Sequence, residues 1–178
     1  MSHIFIKENA IPETFCDEIV HKLNTSKLIK PKPPLENFYE KIHVNVYEQN
    51  WRENLFDCLA EYKVKHPFVD SEYHSRWGVN EFCNYKKFVP NQSYANEHCE
   101  QGGREEDGSN LRMLGWLFYC NTVLNGGQTH FPQQKFLAPP KKGTVIIWPA
   151  AWTHSHYGKV APEEHKYIVN GWASYVTE

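Results

Sequence analysis

The chain of 178 residues lacks an excess of either charge: 19 Lys and Arg stand against 21 Asp and Glu, a net charge of -2. Without a basic excess there is no global field to draw nucleic acid to the surface. Long apolar runs are also missing. None reaches the roughly 18–20 residues that a membrane-spanning helix needs. The opening MSHIFIKENAIPETF has neither the basic start nor the continuous apolar stretch of a secretory signal. Cys16, Cys58, Cys83, Cys99 and Cys120 form no CxxC pair, which excludes zinc-ribbon and thioredoxin-type sites. They are odd in number and widely spaced, so free thiols in a reducing cytoplasm are expected. No internal repeat, long linker or HExxH pattern occurs, and the last absence removes the zinc-peptidase signature.

Aromatic residues, by contrast, make up 15% of the chain, which points to a well-filled β-rich core. Residues 3–7 (HIFIK) read as a short strand. Pro12 suits the first turn of a helix, whose apolar stripe is Phe15, Ile19, Val20 and Leu23. Prolines forbid regular structure over 30–37 (KPKPPLEN). A second helix is predicted over 50–65, with Trp51, Leu55, Cys58, Leu59 and Tyr62 at helical spacing. From about residue 77 the texture changes to short β-prone runs: 79–85, 93–100, 111–121, 128–131, 143–149 and 165–175. Turn signals separate them, among them Asp107-Gly108, Asn125-Gly126-Gly127 and Pro139-Pro140. This pattern predicts a sandwich or jelly roll. The expected organisation is a single domain over 1–178, with helical support over about 1–75 packed on one sheet of a jelly-roll core over about 76–178. The polar segment 101–110 (QGGREEDGSN) reads as a solvated loop, with a lid beside the site as the alternative.

The chemistry concentrates in His98-Cys99-Glu100 and, 58 residues on, His156. Residues i and i+2 of a strand share a face, so His98 and Glu100 can grip one ion while Cys99 points away. Two histidines and a carboxylate suit a facial iron(II) site with open positions for a chelating cosubstrate and oxygen. An H-x-E triplet alone is a weak signal in a chain with ten histidines. The distal ligand has two candidates, because His154 and His156 of WTHSH would share a strand face.

The ordered context is more specific. YKKFVPNQSYANEHCE, LRMLGWLFYCNTVLNGGQTHF, KKGTVIIWP and WTHSHYGKVAPEEHKYIVNGW together resemble the prolyl 4-hydroxylase-like branch of the Fe(II)/2-oxoglutarate-dependent dioxygenases. The resemblance covers roughly residues 80–175. It implies a double-stranded β-helix, the cupin-like jelly roll, mainly β with N-terminal helices. It implies His98, Glu100 and His156 as catalytic metal ligands, with His154 as the alternative distal ligand. For the cosubstrate it implies Lys166 and Thr129 on the distal carboxylate of 2-oxoglutarate, with Tyr119 and Tyr85 nearby. Lysine is apt there, since a point charge in a dry pocket attracts a carboxylate. The resemblance further implies O2 as oxidant, ascorbate as reductant and hydroxylation of a prolyl residue in a protein or peptide, without nucleic acid or membrane. A bacterial or phage-type enzyme of the cytoplasm is expected. Arg112 reads as a surface ion-pair residue, and Trp172 shares the face of Lys166 by alternation. One departure stands out: Glu100 occupies a position that is Asp in most relatives, one methylene shorter. Rival readings are an oxygenase acting on a free amino acid or other small molecule, an idle jelly-roll binding module, a cupin-like oxygen enzyme without 2-oxoglutarate, and a zinc hydrolase.

Overall fold

The computed structural model describes residues 2–33 and 38–177. Residues 34–37 of the proline-rich loop lie outside the described residues. The elements run β1 (Phe5–Lys7), α1 (Glu13–Thr25), β2 (Glu40–Asn45), α2 (Arg52–Lys65), β3 (Trp77–Val79), β4 (Phe82–Phe88), β5 (Arg112–Tyr119), β6 (Thr129–Phe131), β7 (Phe136–Ala138), β8 (Val145–Pro149), β9 (Tyr157–Gly158) and β10 (Lys166–Tyr175). Antiparallel pairing joins seven strands in the order β1-β8-β5-β10-β4-β2, with β3 also on β10. A small sheet, β7-β6-β9, faces it. This is the expected mainly β, jelly-roll architecture with two helices.

Strand alternation divides the apolar residues between two cores. On one face of the large sheet, Tyr85, Trp116, Phe118, Val169 and Ala173 meet Cys16, Ile19 and Leu23 of α1 and Leu55, Cys58 and Leu59 of α2. Pro12 precedes α1 and its carbonyl accepts the Cys16 N–H, starting the helix. On the other face, Phe88, Leu117, Tyr119, Ile146, Trp148 and Ile168 meet Phe131 and Ala138 of the small sheet. The helices therefore brace the large sheet from behind, and the space between the sheets is left for a site. All five cysteines are free thiols. Among the described residues, no helix is long and apolar enough to cross a membrane.

Three local expectations need correction. Residues 93–100 form no regular strand; they make one bridge, between His98 and His156, and the Tyr94 carbonyl accepts the Gly158 N–H of β9 at 2.8 Å. The segment thus meets its neighbour at isolated points and not along a ladder. Likewise His154 and His156 do not share a strand face, because Trp152–His154 is a 3-10 turn. The first 75 residues supply the short strand expected over 3–7, seen as β1 on β8, and also an unanticipated strand, β2 on β4. The alternation of Ile42, Val44 and Val46 was the available signal for β2, diluted by Glu40, Lys41 and His43.

Gly171 on β10 lies against Trp116 of β5; an added Cβ would sit 2.3 Å from the indole Cζ2. Both residues belong to the helix-facing core, where overpacking costs about 1–3 kcal/mol. Gly171→Ala is expected to lower the denaturant midpoint by that amount with an unchanged slope, read by tryptophan fluorescence.

Candidate metal and 2-oxoglutarate site

Two backbone hydrogen bonds organise the centre of the site. His98 N–H donates to the His156 carbonyl at 3.0 Å, and His156 N–H donates back at 2.8 Å. The exchange brings the imidazole centroids to 4.5 Å. Each ring is then fixed by its own neighbourhood. The Nδ1 of His98 lies 2.9 Å from the Asn96 carbonyl, and that of His156 lies 3.0 Å from the His154 carbonyl. A carbonyl only accepts, so each Nδ1 carries the proton and each Nε2 lone pair faces inward. Glu100 Oε1 completes the set, 3.2 Å from His156 Nε2 and 3.9 Å from His98 Nε2. The three ligand atoms lie within 4.8 Å of one another. Two oriented imidazole lone pairs and one carboxylate oxygen, gathered around a point, fit a divalent metal.

Burial would push the Glu100 carboxyl up, but the adjoining His156 and His98 imidazoles and the Trp172 N–H hold it down at about 2. Burial, joined by His156, keeps His98 below its usual value. Both ligands are thus in metal-binding form at neutral pH. The longer glutamate is accommodated by Gly115, where a Cβ would stand 3.0 Å from Glu100 Cγ and 2.7 Å from the Trp148 ring. The second carboxylate oxygen, Oε2, accepts a 2.5 Å hydrogen bond from Trp172 Nε1. Arg112 donates to the Glu100 carbonyl at 3.1 Å and stacks its guanidinium 3.8 Å over the Trp172 ring. Arg112 does form an ion pair, 3.9 Å from Glu100 Oε2, but a largely buried one within the site and not at the surface. It locks Trp172, which orients Glu100.

The remaining expected residues separate clearly. Lys166, only 3% exposed, lines a narrow cavity with the three ligands and Thr129. Its Nζ lies 3.4 Å from the Gly127 carbonyl and 4.5 Å from the Phe88 ring centroid. Burial, reinforced by Lys86, depresses its pKa to about 8. Tyr119 stands behind Thr129, with its hydroxyl 2.7 Å from Thr129 Oγ1, and so positions that side chain without lining the cavity. Tyr85 does not belong to the site. It points to the helix face of β4, where it accepts from Trp51 Nε1 and donates to Gln49. The residues that line the cavity from this side are Lys86 on β4 and Tyr94 beyond it. Alternation along β4 could have identified Lys86, because 84, 86 and 88 share the face opposite Tyr85. Tyr94 was legible only from its ring's approach to His98, at 4.2 Å between centroids.

His154 is excluded as the distal ligand. Its Nδ1 lies 3.0 Å from Thr153 Oγ1, and its ring approaches His3 outside the cluster. Removing the indole donor in Trp172→Phe frees Glu100 Oε2. Loss of such a support costs about 10–100-fold in metal affinity. That loss is expected in a competitive Fe(II) or Co(II) titration, with the far-ultraviolet spectrum unchanged.

No protein-family model matches the chain. Over 62 residues it is 37% identical to prolyl 4-hydroxylase subunit alpha-1 of Bos taurus, a match covering 35% of this chain and 11% of that protein. The Gallus gallus subunit is 43% identical over 44 residues, 25% of this chain and 8% of that protein. The chain thus spans about a tenth of the length of these relatives. Among solved structures, a viral collagen prolyl hydroxylase of Paramecium Bursaria Chlorella virus-1, in its 2OG complex, superposes with a TM-score of 0.69 at 19% identity, over 99% of this chain and 97% of that one. A Pseudomonas putida prolyl-4-hydroxylase gives 0.71 at 12% identity, over 99% and 95%. A Trichoplax adhaerens prolyl hydroxylase, in complex with a hypoxia inducible factor peptide fragment, gives 0.72 at 14% identity, over 98% and 84%. In fold, and in the segment shared with the alpha-1 subunits, the chain is similar to the prolyl 4-hydroxylase-like 2-oxoglutarate oxygenases.

Proposed function

We propose that the chain is an Fe(II)- and 2-oxoglutarate-dependent oxygenase that hydroxylates an unactivated C–H bond of a prolyl residue in a protein or peptide. The observation that carries this reading is the shared cavity. His98, Glu100 and His156, clustered within 4.8 Å of one another, line it together with the buried Lys166 and Thr129. A cupin-like oxygen enzyme without 2-oxoglutarate has no use for a buried lysine opposite its metal. An idle scaffold has no use for it either, since burying an ammonium without a carboxylate is unfavourable.

Iron, 2-oxoglutarate and oxygen together supply the oxidising power, with 2-oxoglutarate leaving as succinate and carbon dioxide; ascorbate is the proposed reductant. The protein's part is placement. Lys166 and Thr129 hold the distal carboxylate of the cosubstrate, with Tyr119 fixing the hydroxyl. Trp148 and Phe131 pack beside His156, with ring centroids at 4.9 and 5.2 Å, and keep water from that ligand. Gly115 leaves the room that Glu100 needs to reach its partners. A peptide substrate is supported by the peptide held in the Trichoplax adhaerens structure.

The test is the visible charge-transfer band formed when Fe(II) and 2-oxoglutarate are added without oxygen. It is expected to need both additions, to vanish in Glu100→Ala, and to require about 100-fold more 2-oxoglutarate in Lys166→Ala, because a carboxylate loses its buried charged partner. Iron binding without any band would remove 2-oxoglutarate from the reaction. A band without succinate release on proline-containing peptides would remove the prolyl substrate.

The depressed Lys166 pKa gives a pH signature. The free protein loses this proton at about pH 8, whereas a bound dianion retains it. Affinity for 2-oxoglutarate is therefore full below about pH 8 and falls as pH rises, by about tenfold per unit, up to the pKa of the bound state. Lys166→Arg keeps its charge over this range, so its binding is expected to be weaker at neutral pH and nearly flat from pH 8 to 10.

A further inference from the structure

Outside the narrow cavity lies a second, wider one of about 430 Å³, open in front of Glu100 and His98. This is where a substrate must stand to reach the metal. Its floor is the edge of the large sheet, and the charge there is unusual. Lys41 of β2 and Lys86 of β4 are direct cross-strand neighbours on the same face, and both line this cavity. Like charges placed directly opposite destabilise a sheet. Among the described residues neither ammonium lies in an ion pair or a side-chain hydrogen bond. Arg112, also on the wall, is already engaged with Glu100 and Trp172. The acids that line the cavity are committed as well. Glu100 faces the metal ligands, and Asp107 on the outer loop accepts from the Ser109 N–H.

A second feature is independent of charge. Asn84 and Asn170, 3% and 7% exposed, pair across β4 and β10 and line the same cavity. The side-chain oxygen of each is buried without a hydrogen-bond partner. Buried amides are normally satisfied. Two adjacent orphaned acceptors beside two unneutralised ammonium groups make a surface complementary to a ligand carrying both a carboxylate and N–H donors.

We infer that the outer cavity selects a substrate bearing a carboxylate close to the carbon that reacts, held by Lys41 and Lys86, with its N–H groups received by Asn84 and Asn170. The carboxylate has two possible sources: an acidic side chain flanking the target residue of a peptide, or the α-carboxylate of a free amino acid. Burial lowers the Lys41 pKa, and holds Lys86 at about 8 despite the pull of Glu100. A bound carboxylate would relieve the mutual repulsion of two ammonium groups set directly across the strands. The inference rests on the proposed oxygenase reading for the identity of the reaction, while the charge selection rests on the cavity itself.

Lys41 is the residue to change, because it lines the outer cavity and not the narrow one that holds Lys166. Binding is measured calorimetrically, without oxygen, on protein given Fe(II) and 2-oxoglutarate, and the charge-transfer band is recorded on the same samples. The probes are an amidated, N-acetylated peptide with one proline among glycines, the same peptide with aspartates flanking the proline, L-proline, and N-acetyl-prolinamide. One acidic probe is expected to bind at least tenfold tighter than its neutral match, and Lys41→Gln to remove that preference while leaving the band in place. Preference confined to the aspartate peptide assigns the carboxylate to a peptide side chain; preference confined to L-proline assigns it to a free amino acid. Equal binding of acidic and neutral probes, no binding of any probe, or a preference that survives Lys41→Gln overturns the inference. Loss of the band in the wild-type protein with the preference intact would instead overturn the oxygenase reading alone.

Discussion

The reciprocal backbone hydrogen bonds between His98 and His156 are the constraint on which the site depends. Fifty-eight residues separate the two in sequence, and the intervening chain carries β5 and β8 of the large sheet and β6 and β7 of the small one. Closing that loop carries an entropic cost that two hydrogen bonds cannot offset. The packing of Phe131, Trp148 and Ile168 between the sheets makes up the difference. Once the bridge is formed, both imidazoles, their Nδ1 carbonyl partners and Glu100 follow from local geometry. The gathering of His98, Glu100 and His156 is therefore a consequence of how the two sheets close.

Around that bridge the polar groups are graded by commitment. The Glu100 carboxylate is surrounded by donors and kept ionised. The Lys166 ammonium is buried opposite it with only a long contact to the Gly127 carbonyl, and its pKa falls accordingly. Lys86 lies between the narrow and the wide cavity and is pulled both ways, down by burial and up by Glu100. Lys86 lies over the Tyr39 ring and Lys166 over the Phe88 ring, but among the described residues neither pairs with a carboxylate, so an entering anion would gain binding energy by filling that gap.

Glutamate in place of the usual aspartate has a structural counterpart in three other residues. Gly115 provides space, Trp172 provides a donor, and Arg112 holds the indole. None of these roles could be read from the H-x-E triplet. Each depends on β5 and β10 being neighbours in register, so that Gly115 and Trp172 pair directly.

The sequence by itself made legible the His98 and Glu100 pair, by alternation over i and i+2, and the change from helical to strand texture. Its ordered motifs, through the family resemblance, offered His156, Lys166 and Thr129 as candidates. Tertiary structure decided the rest. Tyr85 was expected near the cosubstrate by resemblance, which does not say which face of its strand meets the cavity; Tyr85 packs toward the helices and Lys86 lines the cavity. The strand expected over 93–100 is absent because the segment meets the 156–158 stretch only at isolated points, Tyr94 with Gly158 and His98 with His156. His154 and His156 could be told apart only once a 3-10 turn had rotated the former away. The cross-strand pairing of Lys41 with Lys86 depends on a register between strands some forty residues apart. Periodicity reports which residues lie together on one element; what faces them across a cavity is fixed only when the sheets pack.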